Sequence, residues 1–139
     1  MSEIKRTLEW FQQAMPEPTD KQRQIQLGCH VEEFSEMLLS VDLLEWAHDI
    51  TLLSDDLKSG DESVSNLPIN KTALLDAMVD QIVTAIGVCH TMGFDLEGAL
   101  SEVNRSNFSK FEDGQAVFDE NGKITKGKHY SKPDLKPYI

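Results

Sequence analysis

The 139-residue chain predicts an all-α fold, a bundle of four to five helices ending in a short β-hairpin-like tail. Apolar residues recur at three- and four-residue spacing over most of the chain, and Pro, Gly and Ser cluster between the periodic runs. After about residue 107 the helical period stops, and short extended stretches flank an Asn-Gly pair. At this length the chain is expected to form one domain, with helices over residues 1–110 and residues 111–139 as its tail.

Ile4, Leu8 and Phe11 mark a first helix over residues 3–14, which Pro16 and Pro18 end. Thr19 with Gln22 three residues on reads as a capping box opening a second helix that runs to about His48. Its inward stripe is Leu27, Val31, Phe34, Leu38 and Val41; beside it lie Gln26, His30, Glu33 and Met37. Residues 53–68 are rich in Ser, Asp and Gly and read as a mobile loop with at most a short helical turn. Asn70 caps a third helix to about Met92, and Gly93 suits its left-handed stop. Leu74, Leu75, Met78, Val79, Ile82, Val83 and Ile86 make this helix apolar nearly all round, the mark of a central element. Its one polar or small stripe is Asp76, Asp80, Thr84 and Gly87. Asp95 caps a fourth helix to about Asn107, with Leu96, Leu100 and Val103 inward. Asn121-Gly122 then forms a hairpin turn between residues 116–119 and 123–125, and Pro133 and Pro137 keep the end extended.

Thirteen basic against 24 acidic residues give a formal charge of −11. That balance argues against a nucleic-acid partner, because neutralising phosphates needs clustered Lys and Arg. No apolar run approaches the roughly 20 residues of a membrane span, and the charged start lacks a secretory signal's apolar stretch, so a cytoplasmic protein with no membrane partner is expected. Cys29 and Cys89 have no metal-type spacing and read as buried thiols. Trp10 and Trp46 read as core or interface, and Met37, Met78 and Met92 as core.

The carboxylates break this pattern. Glu33 and Glu36 share one helix face beside Glu32, and Asp76 and Asp80 share another, each next to apolar positions. Packing such faces together sets like charges in poorly solvated surroundings unless cations neutralise them. The donors are all oxygen, which suits Mg²⁺ or Mn²⁺ better than zinc. Other chemistries have weak support: Cys29 and His30 point about 100° apart on a helix, and no phosphate-cradling Gly-x-x-x-x-Gly-Lys-Ser/Thr is present.

Glu32-Glu33-x-x-Glu36, followed by a motif ending at Asp80, resembles the MazG-like all-α nucleoside triphosphate pyrophosphohydrolases. The segment from Val103 through Asn104 and Lys110 to Phe111, then Lys126-Gly127 and residues 130–135, is similar to the tail of short MazG-like proteins often found in phages. The resemblance implies hydrolysis of a (deoxy)nucleoside triphosphate to monophosphate and pyrophosphate by metal-activated water attacking the α-phosphorus. It implies Glu33, Glu36 and Asp80 as Mg²⁺ ligands, Glu32 as a ligand or water-orienting group, and Glu32 or Glu33 as general base. Asn104 and Lys110 match nucleotide-contacting positions; Lys126 and Tyr130 are weaker candidates, and Gln26 and His30 would border the base pocket. The family usually carries a carboxylate where this chain has Ala77, so Asp76 stands as substitute. The interval from Glu36 to Asp80 is longer than usual, and residues 55–66 account for the excess as a lid or subunit contact. Relatives form homodimers or homotetramers in the cytoplasm, the host's where phage-encoded, and dGTP is one candidate substrate. The alternatives are a phosphoribosyl-ATP pyrophosphohydrolase of the same fold and, outside enzymes, an acidic helical binding protein or DNA mimic.

Overall fold

A computed structural model describes residues 1–60 and 68–139. Among these are five α-helices, α1 (Glu3–Ala14), α2 (Asp20–Ser40), α3 (Leu44–Ser59), α4 (Lys71–Met92) and α5 (Leu96–Phe108). A two-stranded hairpin follows, β1 (Val117–Phe118) with β2 (Ile124–Thr125), and then a 3₁₀ turn, Lys136–Tyr138. The fold is all-α with a small hairpin near its end, as the periodicity predicts. Two compact units interleave in sequence: unit 1 is Met1–Pro16, Pro68–Val117 and Thr125–Ile139, and unit 2 is Glu17–Leu67 and Phe118–Ile124.

Local chemistry sets the helix ends. Ser2 Oγ accepts from the Lys5 N–H, and Thr19 and Gln22 form the expected reciprocal capping box. Asn70 and Asp95 accept from the backbone three residues on. Gly60 and Gly93 close α3 and α4 with φ of 77° and 78°, a region only glycine enters cheaply.

The expected second helix is two. It stops at Ser40, where Asp42 turns at φ 61°, and the chain resumes as α3 from Leu44. The loop expected from residue 53 is likewise helical through Ser59, while 61–67 lie outside the described residues. In unit 2, α3 packs antiparallel along α2 through small side chains. Ser54 Oγ donates to Gly28 O at 3.1 Å, and Ser35 Oγ donates to Ala47 O at 2.9 Å. A Cβ on Gly28 would lie 3.1 Å from both Leu57 Cβ and Lys58 N, so a hydrogen there lets the helices approach. The buried positions of α2 are therefore Ile25, Gly28 and Ser35; of the expected stripe, Phe34 and Val41 are exposed. Short side chains won over bulky ones because hydrogen bonding to carbonyls requires close backbones.

In unit 1, α1 runs in the same direction as α5 and packs on it. Trp10 is buried, donates from Nε1 to Asn107 O at 2.8 Å and stacks on Phe111 with centroids 5.7 Å apart. The chain after β2 returns along α5 as a strap. Gly127 N–H bonds Lys110 O, the Ser131 N–H bonds Ser109 Oγ, Lys132 O accepts from Arg105, and Tyr138 O accepts from the Asp95 N–H. A Cβ at Gly127 would meet Lys110 O at 2.5 Å, so glycine permits the strap to lie against the end of α5.

The helix expected at the centre behaves otherwise. No residue of α4 is buried, and Leu75, Val79, Val83 and Met92 are among its exposed apolar side chains. By length and composition α4 is also long and apolar enough to cross a membrane, which corrects the expectation that no segment is. Asp76 and Asp80 fall within it.

Glu102 fastens the middle of the strap. It takes a two-pronged ion pair from Arg105, at 2.7 and 2.8 Å, and accepts the Asp134 N–H at 2.9 Å. The Arg105 hydrogen bonds, then that backbone bond, hold its carboxyl down to about 2. A depressed carboxylate stabilises the fold above its ordinary value of 4.5 and ceases to as the pH falls toward 2. Exchange protection of the Asp134 amide, corrected for intrinsic rate, is expected to hold at neutral pH and to fall across that window; protection constant down to pH about 2 would contradict the fastening.

Candidate functional site

The glutamates of the motif lie on α2 in unit 2, and the aspartates on α4 in unit 1. Glu33 and Glu36 are exposed on the solvent-facing side of α2, in line with Gln26, His30 and Met37, which are exposed too. Phe34 and Met37, about half exposed, flank these acids with apolar surface. Asp76 and Asp80 are exposed one turn apart on α4, beside exposed Leu75, Val79 and Val83.

Glu32 differs from its neighbours. Its Oε1 accepts from Lys58 Nζ at 3.0 Å and its Oε2 from Lys123 Nζ at 2.6 Å. Partial burial pushes its carboxyl up, but the hydrogen bonds and charges of Lys123 and Lys58 outweigh this and hold it below the ordinary carboxylate range. Burial pulls both lysines down, but the bonds to Glu32 outweigh it and hold them above the ordinary lysine range, with Asp55, 3.2 Å from Lys58, adding. A carboxylate paired with two lysines and held at a depressed pKa is a weaker proton acceptor, and a metal would have to compete with both ammonium groups for it. Glu32, expected as a ligand or base, is thus engaged in the scaffold by two lysines. Lys58 and Lys123, its partners, lie 26 and 91 residues away in sequence and carry no local signal.

Asn104 takes another role than the one expected. Only 1% exposed, it accepts from Thr7 Oγ1 at 2.9 Å and donates from Nδ2 to Glu3 O at 3.0 Å and Glu3 Oε2 at 2.9 Å. Its amide joins α5 to α1 within unit 1 and is closed off from solvent. Lys110 lies over the Trp10 ring, 5.6 Å from the centroid, and Lys126 lies over Tyr130 at 4.9 Å. Both pairs are cation–π contacts.

The other expectations divide. Cys29 and Cys89 are unbridged and half-buried; burial pushes the Cys29 thiol up despite Lys123 nearby. Trp10 is core, whereas Trp46 is 67% exposed, and Met37 and Met92 are exposed where core was expected.

The donor chemistry fits a hard cation. Glu36, Asp76 and Asp80 make no side-chain hydrogen bond or ion pair among the described residues, so their oxygens face solvent. Among the described residues of either unit, no three acidic, His or Cys side chains converge as a ligand set. No protein-family model, no curated protein and no solved structure matches the chain. The MazG-like reading therefore rests on the motif residues themselves.

Asn104→Ala is expected to lower stability by about 1–3 kcal/mol, because Thr7 and Glu3 lose a buried partner. Urea unfolding checks it; a variant as stable as the native chain would return Asn104 to the list of binding residues.

Proposed function

We propose that the protein is a metal-dependent pyrophosphohydrolase of (deoxy)nucleoside triphosphates. One observation carries the reading: two carboxylate pairs, Glu33 with Glu36 and Asp76 with Asp80, stand on single helix faces within apolar surface. Surface acids with no task have no need of that setting, whereas oxygen ligands gain from it, since nearby apolar groups strengthen their attraction for a cation. Mg²⁺, when bound, would neutralise phosphate charge and lower the pKa of a water.

The chain's own residues divide the remaining work. Glu33 with Glu36 on α2, and Asp80 with Asp76 one turn before it on α4, are the carboxylates that would supply oxygen ligands to the ion. With Glu32 occupied by two lysines, the base role goes to Glu33. It accepts the proton of a water whose oxygen attacks the α-phosphorus. The bond to the bridging oxygen breaks on the opposite side, and pyrophosphate leaves with the electron pair.

A second reading is favoured by the same exposure. Glu33, Glu36, Asp76 and Asp80 lie on the surface, as the acids of a helical binding protein or DNA mimic would. Titration calorimetry with Mn²⁺ separates the two, because a mimic has no need of a metal and would be indifferent to Asp80→Ala.

Purified protein with Mg²⁺ or Mn²⁺ is expected to release pyrophosphate from at least one member of a full NTP and dNTP panel. Glu36→Gln should lower turnover at least ~10–100-fold, and Glu32→Gln less. No release from any nucleotide, or a Glu36→Gln variant as active as the native protein, would overturn the proposal.

A further inference from the structure

Charge along the chain is segregated. Against an overall −11, residues 126–136 hold Lys126, Lys128, Lys132 and Lys136 with Asp134 as the one acid. This is the strap that returns along α5, so the lysines belong to a fixed backbone. Gly127 N–H bonds Lys110 O at 3.0 Å, Lys128 N–H bonds Glu112 Oε1 at 2.7 Å, and Tyr130 N–H bonds Gly127 O at 3.1 Å. The Ser131 N–H bonds Ser109 Oγ at 2.8 Å. Three ties to residues 109–112 and one turn within the strap, over five residues, leave little backbone entropy to lose when a ligand arrives.

The cations on this edge are not committed to carboxylates. Lys126, Lys128 and Lys132 form no ion pair among the described residues; Lys128 and Lys132 are exposed, and Lys126 rests on the Tyr130 ring. Two acids border the strap: Glu112, which accepts the Lys128 N–H and keeps its charge, and Glu102, which is bound by Arg105 and the Asp134 N–H. In a chain with nearly twice as many acids as bases, a run of three lysines without ion-pair partners on a pinned strap, bordered by Glu112, favours compact polyanions over cations.

We propose that the Lys126–Lys132 edge of the strap binds the phosphate chain of a polyphosphate, with Lys126, Lys128 and Lys132 as its cations. The natural ligand, a nucleoside triphosphate, rests on the hydrolase reading; polyphosphate binding itself does not. An extended nucleic acid offers the same phosphate chemistry, but its length would bring it against the acidic remainder of the surface.

Calorimetry with inorganic tripolyphosphate in EDTA tests this on the whole chain. Native protein is expected to bind at one site, more weakly as salt rises. The Lys126→Gln/Lys128→Gln double variant should bind ~10-fold more weakly, with Lys126→Arg/Lys128→Arg close to native. Lys136→Gln, at the far end of the strap, should match native. Absence of native binding, a double variant equal to native, or displacement of tripolyphosphate by a single-stranded oligonucleotide at lower phosphate concentration would overturn the assignment. Binding as expected without turnover of any nucleotide would leave the strap site standing and remove the hydrolase reading. Turnover with a KM that the double variant leaves unchanged would remove the strap site alone.

Discussion

Glu32 holds Lys58 of α3 through one carboxylate oxygen and Lys123 of the hairpin turn through the other, and unit 2 converges on that one side chain. The α2–α3 contact sets Gly28, Ser35, Ala47 and Ser54 where the backbones come close and buries Ile25 and Leu57 beside them. The Glu32 pairs add a polar tie to that contact. The hairpin turn gains a seat as well, since Gly122 places its backbone by Ile25, where an added Cβ would lie 3.4 Å from Cδ1. A partly buried carboxylate alone would be unfavourable here, and the two ammonium groups make it favourable.

The same rule, that a carboxylate near the interior has its cation or donors assigned, runs through unit 1. Glu102 has Arg105 and the Asp134 N–H, and Glu3 has the Asn104 amide. Glu36, Asp76 and Asp80 stand outside the rule, although apolar side chains surround them. With 13 basic residues in the chain, two of them on Glu32 and four along residues 126–136, the distribution of cations is itself selective. Lysines meet the acid that ties helices together, and among the described residues none pairs with Glu36, Asp76 or Asp80.

Much of the fold was legible because its signals are local. Thr19 with Gln22, Asn70, Asp95, Gly93 and Asn121-Gly122 each act within four residues, and each marks the boundary it predicts. The break at residues 41–43 escaped because no Gly or Pro marks it; Asp42 takes the left-handed conformation that short polar side chains tolerate. The α2 stripe was misread for a related reason. Counting bulky residues favours Leu27, Val31 and Phe34, while the observed contact selects small ones whose hydroxyls reach carbonyls on the facing helix. The site residues divide the same way. Spacing puts Glu33 with Glu36 and Asp76 with Asp80 on common faces, which is a property of one helix. What stands opposite Glu32 or Asn104 is a property of the fold, and helical spacing carries nothing about Lys123 or Glu3.

These charge assignments bear on how a nucleotide would be handled. A triphosphate with its divalent cation presents both signs, and each needs a complement that is not already neutralised internally. Carboxylates bound to lysines cannot take the cation without first exposing those lysines, and lysines bound to carboxylates cannot take phosphate. Glu32, Lys58 and Lys123 satisfy one another and so belong to the scaffold. Glu36, Asp76 and Asp80 on one side, and Lys126, Lys128 and Lys132 on the other, keep their charges open to solvent. Sorting the ionic groups by whether their charge is already met separates the residues that hold the protein together from those available to a ligand, and it does so without reference to any relative.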